Sequence, residues 1–166
     1  MRRVAAAVDV TPMAIYRHYP DRASLLTALA DEGFEELAAR LAVKKFRGGI
    51  AERLTKMMEI YLGHALERPR LFELMFLNPR EGARSYPGDF EAGRSPTANL
   101  LLEVVQSGMD CGYFRKGDAW EIVFEMGALS HGLVLLYLGG RMAVPPAHFR
   151  AFYRRSFRRF ISGIRK

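Results

Sequence analysis

The sequence predicts an all-α fold, and three observations carry that reading. No stretch of useful length alternates apolar and polar residues with period two, as a half-buried strand requires. Helix-start signals recur: Thr11-Pro12, Ser95-Pro96 and Pro145-Pro146 place proline where a helix begins, and Asp21 and Asp118 supply acceptor caps. Between those starts, apolar residues fall at three- and four-residue spacing.

Taken in order, Val4, Ala5, Val8 and Val10 give a first helix and its following turn an apolar side. Thr11 then offers an N-cap hydroxyl, and Pro12 opens a short helix whose Ile15 and Tyr19 share one face by i,i+4 spacing. Those two are assigned to the core, while Met13, Ala14, Tyr16 and Arg17 fall mostly on other faces. A long helix capped by Asp21 runs to about Lys45, carrying a stripe of Leu26, Leu29, Gly33, Leu37 and Leu41. Gly48-Gly49 breaks it, and the next helix starts at Ile50 and stops near Arg68, ahead of Pro69. Arg70–Leu77 makes a short apolar helix, and Asn78–Arg94, rich in Pro, Gly and charge, reads as a loop with room for a helical turn. Helices from Ser95 to about Gly112, from Asp118 to Gly139-Gly140, and from Pro146 onward complete the chain.

With 166 residues and 49% hydrophobic content, the chain can bury a substantial core. We divide it into an N-terminal region with its connecting helix, residues 1–45, and a larger helical domain, residues 46–166. The single cysteine, Cys111, excludes an internal disulfide framework and fits a reducing cytoplasm. No secretory leader is expected, because Met1-Arg2-Arg3 leads into alanines rather than an apolar h-region. The most apolar stretch, Ala119–Leu138, carries Glu121, Glu125 and His131, so no transmembrane span is expected. From Arg141 onward there are eight basic residues and no acidic ones, more than the whole net charge of +7. Global basicity is therefore poor evidence about the N-terminal region. There, Arg2, Arg3, Arg17 and Arg22 outweigh Asp9 and Asp21 modestly.

The stretch VAAAVDVTPMAIYRHYPDRASLL resembles the helix-turn-helix signature of the tetracycline-repressor (TetR) family of bacterial transcriptional regulators. The shared features are the small-residue helix, the Val-Thr entry, the run Ile15-Tyr16-Arg17-His18-Tyr19, and the Asp-Arg-x-x-Leu-Leu that opens the next helix. At a turn position that favours positive φ, where the family usually has Gly, this chain has Asp9. The family places a whole helix before the motif, and this sequence begins inside the second. The resemblance implies a homodimer that sets two copies of Thr11–Tyr19 in successive major grooves of a two-fold-related, double-stranded operator. It implies Thr11, Tyr16, His18 and Arg22 as phosphate-positioning residues, with Pro12 at the start of the recognition helix. Met13, Ala14 and Arg17 would reach base edges, Arg17 suiting guanine and the Met13 or Ala14 surface a thymine methyl. Two roles stay open: Tyr16 could pack on the neighbouring helix, and His18 could cap its own. A ligand-responsive regulator, repression being the commoner family outcome, is the implied function. The alternative is an N-terminally truncated dimer that binds a small molecule without binding DNA directly.

Farther along, LERPRLFELMF and SHGLVLLYLGGR resemble the ligand-binding domain of a TetR subgroup. That subgroup often has a Trp shortly before its His-Gly pair; here His131-Gly132 is present and the nearest Trp is Trp120. A pocket for an apolar small-molecule effector would draw on Met57, Tyr61, His64, Phe72, Met75, Phe76, Trp120, Phe124 and His131. Taken singly, each is better suited by type to plain core than to ligand contact, and His64 and His131 could merely satisfy buried hydrogen bonds. On a helical wheel, Phe149, Phe152, Tyr153, Ser156, Phe157, Phe160, Gly163 and Ile164 form one band of the last helix, opposite Arg154, Arg155, Arg158 and Arg159. The expected dimer is a four-helix bundle built from Ala128, Gly132, Phe149, Phe152, Ser156, Phe160 and Gly163. A basic amphipathic helix also suits a membrane surface, but the protein interface is preferred and no membrane partner is expected.

Catalysis is not expected. The sequence has no Gly-rich phosphate loop, no Cys-x-x-Cys and no His-x-x-x-His pair, so neither a metal nor a cofactor is assigned. Cys111 stands beside the acidic Asp110, the opposite of an activating setting.

Overall fold

In the computed structural model, which describes residues 1–42, 48–80 and 82–166, the described residues form nine α-helices and no strand. They are α1 (Arg2–Ala7), α2 (Pro12–His18), α3 (Arg22–Ala42), α4 (Ile50–Glu67), α5 (Pro69–Phe76), α6 (Gly88–Glu91), α7 (Pro96–Asp110), α8 (Ala119–Leu138) and α9 (Pro146–Ile164). The extension of α3 to Lys45 and the boundary at residue 45 lie outside the described residues.

Local chemistry sets most of the starts. The Thr11 hydroxyl accepts from the Ala14 N–H at 3.2 Å, and Ser95 accepts from Ala98 at 3.4 Å. Asp118 accepts from Trp120 at 2.7 Å and from Glu121 at 3.4 Å. At the head of α3 the Asp21 carboxylate accepts from the Ser24 N–H at 2.7 Å, while the Ser24 hydroxyl oxygen faces the Asp21 N–H at 3.2 Å. Those bonds hold the Asp21 carboxyl below its ordinary value. Pro69 is the first residue of α5, one earlier than expected, because proline needs no N–H partner there.

Helix α4 runs through the middle, packed on α3, α5, α7, α8 and α9. Leu54, Met57, Met58, Tyr61, Leu62 and Ala65 are all buried. Tyr153 of α9 donates to the Met58 carbonyl at 3.1 Å and takes a hydrogen bond from Ser130 of α8. A buried hydroxyl is thereby satisfied where three helices meet. The Tyr137 and Phe149 rings stack at 4.0 Å and tie α8 to α9.

Gly108 of α7 permits a close approach that no other residue allows. A Cβ there would lie 2.5 Å from Cδ2 of Phe114, which is fully buried, and 3.0 Å from Cγ2 of Ile50. Gly108→Ala gains about 1 kcal/mol of helix propensity but must displace a pinned ring. We expect a net loss of about 1–3 kcal/mol, read as a lower urea midpoint at unchanged slope. An unchanged midpoint would mean that the ring moves freely.

Candidate DNA-binding helix and ligand cavity

The turn between α1 and α2 passes through Asp9 at φ 53°, in the left-handed region where the family's glycine would be expected. The Val10 N–H closes that turn on the Ala5 carbonyl at 3.0 Å, and Ala5 is buried. The rest of the apolar side expected of α1 is open, with Val8 61% exposed and Val4 and Val10 also on the surface. Ile15 and Tyr19, assigned to the core, are half-buried.

On α2, Met13 is 71% and Tyr16 46% exposed, and Thr11, Pro12, Arg17 and His18 are exposed as well. Ala14 is half-buried. The Tyr16 ring is therefore not consumed by the neighbouring helix. His18 lies with its ring 6.4 Å from that of Tyr19, and Arg22 stands exposed at the first position of α3. Thr11, Met13, Tyr16, Arg17, His18 and Arg22 are thus all exposed, on α2 or within a few residues of it in the chain.

The other candidate site is a cavity of about 420 Å³. Six of the nine expected residues line it: Met57, Tyr61, Met75, Phe76, Phe124 and His131. The other three do not. Phe72 is fully buried behind the wall, its ring 5.7 Å from Tyr61, 4.9 Å from Phe76 and 5.8 Å from His131. Trp120 meets the edge of Phe90 at 6.0 Å and stays outside. His64 is buried with Nε2 3.4 Å from the Met75 sulfur, and burial pushes its pKa down.

His131 donates from Nδ1 to the Gly127 carbonyl at 2.8 Å, which leaves Nε2 to accept from the Tyr61 hydroxyl at 3.1 Å. Burial pushes the imidazole pKa down and the Tyr61 phenol well up. This is a neutral, internally satisfied pair with no free base, and it adds polarity to an otherwise apolar wall. Among the described residues, no group of three His, Cys, Asp or Glu could hold a metal.

Sequence reasoning missed the rest of the lining. Phe34, Leu37 and Leu41 come from α3, Thr97, Ala98 and Leu101 from α7, and Asn78, Arg80, Ala83, Arg84 and Phe90 from the segment read as a loop. The α3 stripe was visible, but its spacing says nothing about what it faces.

A family model described as the tetracyclin repressor-like C-terminal domain matches residues 54–160, well over half of the chain. The chain belongs to the TetR family. Members are transcriptional regulators rather than enzymes. Among solved structures, a protein of unknown function from Rhodococcus sp. RHA1 is similar at TM-score 0.80 and 29% identity, over 99% of this chain and 84% of that one. A regulatory protein of the TetR family from Rhodococcus RHA1 aligns at TM-score 0.70 and 19% identity, over 98% and 84%. The TetR family transcriptional regulator PfmR from Thermus thermophilus aligns at 0.70 and 16%, over 99% and 88%. The last two show the fold alone. A search of curated proteins found no match.

TetR regulators bind DNA and typically dimerise, so the outer faces of α8 and α9 matter. Phe149, fully buried, and Ser156, 7% exposed, turn into the subunit's own core. This corrects the expected interface. The aromatic band of α9 is wide enough to serve α4 and α8 with Phe149, Tyr153, Phe157 and Ile161. Phe152 and Phe160 are half-buried at its edge; Ala128 is exposed but lines the cavity, and Gly132 and Gly163 are exposed with open space above them. Leu135 and Leu136, exposed by 37% and 46%, extend the face and were not singled out from sequence. Helix α8 is long and apolar enough to cross a membrane, yet it buries Ala119, Val123, Met126, Ser130 and Val134 against the chain itself.

Proposed function

We propose that this TetR regulator is a ligand-responsive repressor that grips a two-fold-related DNA operator as a homodimer. In this reading it works in the cytoplasm, and a largely apolar small molecule in the α3–α8 cavity is its effector. The observation that carries the reading is the position of α3. Its first residue, the exposed Arg22, follows the end of α2 after a three-residue turn, and Phe34, Leu37 and Leu41 of the same helix line the cavity. Twelve residues separate Arg22 from Phe34, about 18 Å along one rigid helix.

A bound effector pressing on Phe34 and Leu37 reorients α3 and with it the spacing of the two recognition helices. A few kcal/mol of differential affinity between conformers shifts occupancy strongly. Arg17 supports the DNA-contact role: it is exposed, and its side chain makes no hydrogen bond or ion pair with the described residues.

The test is anisotropy titration against duplexes selected from a random pool. Arg17→Ala is expected to cost about 1–3 kcal/mol and to relax preference at one base position. Arg22→Ala should weaken all duplexes alike and lower the salt slope by about 1 per subunit. If the parent protein retains no duplex above non-specific affinity, the DNA-binding reading falls and a ligand-binding dimer is left.

A further inference from the structure

The cavity lining has a charge that an apolar ligand does not explain. Arg80 lines the cavity with a side chain only 7% exposed, and its Nε is buried with no hydrogen-bond partner. Its recorded polar contact is one Nη1 bond to Asp31 of α3 at 3.2 Å, and the Asp31 side chain is itself half in solvent. Arg84 lines the same cavity, with its guanidinium carbon 5.0 Å from the centre of the Phe34 ring; that of Arg80 lies 5.7 Å away. The Arg84 Nε donates to the Arg94 carbonyl at 2.7 Å. Among the described residues that line the cavity there are two arginines and no acid. A guanidinium carries five donors in a planar fork suited to a carboxylate, and the buried Nε of Arg80 is without a partner. Burying an arginine this far with a single partial partner is costly unless something else meets it.

From this geometry we infer that the effector is an amphipathic carboxylate. Its anionic head pairs with Arg80, and with Arg84 beside it, while its apolar body lies against Met57, Phe76 and Phe124. The inference rests on the effector-cavity reading above and narrows it to a ligand class. It also gives that ligand a route to the DNA. Arg80 holds Asp31, which sits on α3 between Arg22 and the cavity residues, so a carboxylate that engages Arg80 competes with Asp31 for one guanidinium. Ligand binding and the α3 tether then oppose each other, and the coupling must be reciprocal.

The test uses the full chain and two probes of equal chain length, decanoate and 1-decanol, followed by calorimetry and by Trp120 fluorescence. Decanoate is expected to bind at least about tenfold more tightly than decanol, the scale of one charge-assisted pair. Arg80→Gln should bring the two within about threefold by weakening decanoate alone, and Arg84→Gln should narrow the gap in the same direction. Asp31→Asn should tighten decanoate and leave decanol unchanged. Equal affinity of the two probes for the parent protein overturns the carboxylate inference and leaves the cavity reading standing. So does a decanoate advantage that survives both arginine substitutions. Failure of both probes to bind overturns the two together.

Discussion

Phe72→Ala is expected to lower the unfolding free energy by about 3–5 kcal/mol, whereas Phe124→Ala should cost clearly less. Both are aromatic, both were assigned to the pocket from sequence, and the difference lies in what surrounds them. Phe72 is fully buried with Tyr61, Phe76 and His131 around its ring, so truncation opens a closed apolar hole behind the cavity wall. Its neighbours are rings that cannot collapse into that hole without losing each other. Phe124 is half-buried, lies 4.1 Å from the exposed Tyr86 ring and 4.7 Å from Phe90, and borders a cavity that already exists. Its removal enlarges that cavity and exposes surface that water can reach. Urea titration of both variants checks the order. If Phe72→Ala costs less than Phe124→Ala, the cavity wall is drawn in the wrong place.

The helix starts were legible because each rests on local chemistry. Thr11, Ser95 and Asp118 cap by accepting from N–H groups two or three residues ahead, and a cap needs no knowledge of the rest of the fold. The direction a face points was not legible. The wheel of α9 gathers Phe149 and Phe160 into one band, but only packing on α4 and α8 decides that Phe149 is core and Phe160 is edge. In α8 nearly every face is apolar, so periodicity could not single out Leu135 and Leu136. Arg80 was least legible of all. It sits in a stretch whose composition reads as a solvated loop, and its burial depends on Asp31 and Phe34, more than forty residues earlier.

If the protein pairs as proposed, Gly132→Glu is expected to yield monomers, with association weakened at least about a hundredfold. The subunit itself should tolerate the change. Gly132 is exposed, and a Cβ built there meets nothing within 4 Å, so unfolding midpoints should hold while sedimentation equilibrium moves to the mass of one chain. In the paired state the consequence is different. Each new carboxylate would enter an apolar face with Leu135 and Leu136 beside it, and its two-fold copy brings a second negative charge close by. Glu125 already stands exposed two turns back on the same helix, so the added charge joins an acid there. Gly132→Ala is the control, because a methyl group in open space should leave pairing intact. Operator binding should fail along with dimerisation in the glutamate variant, since one α2 reads one half-site and the second contact is lost. A Gly132→Glu protein that still pairs would place the subunit contact elsewhere, and Ala128 and Gly163 would lose their assigned role with it.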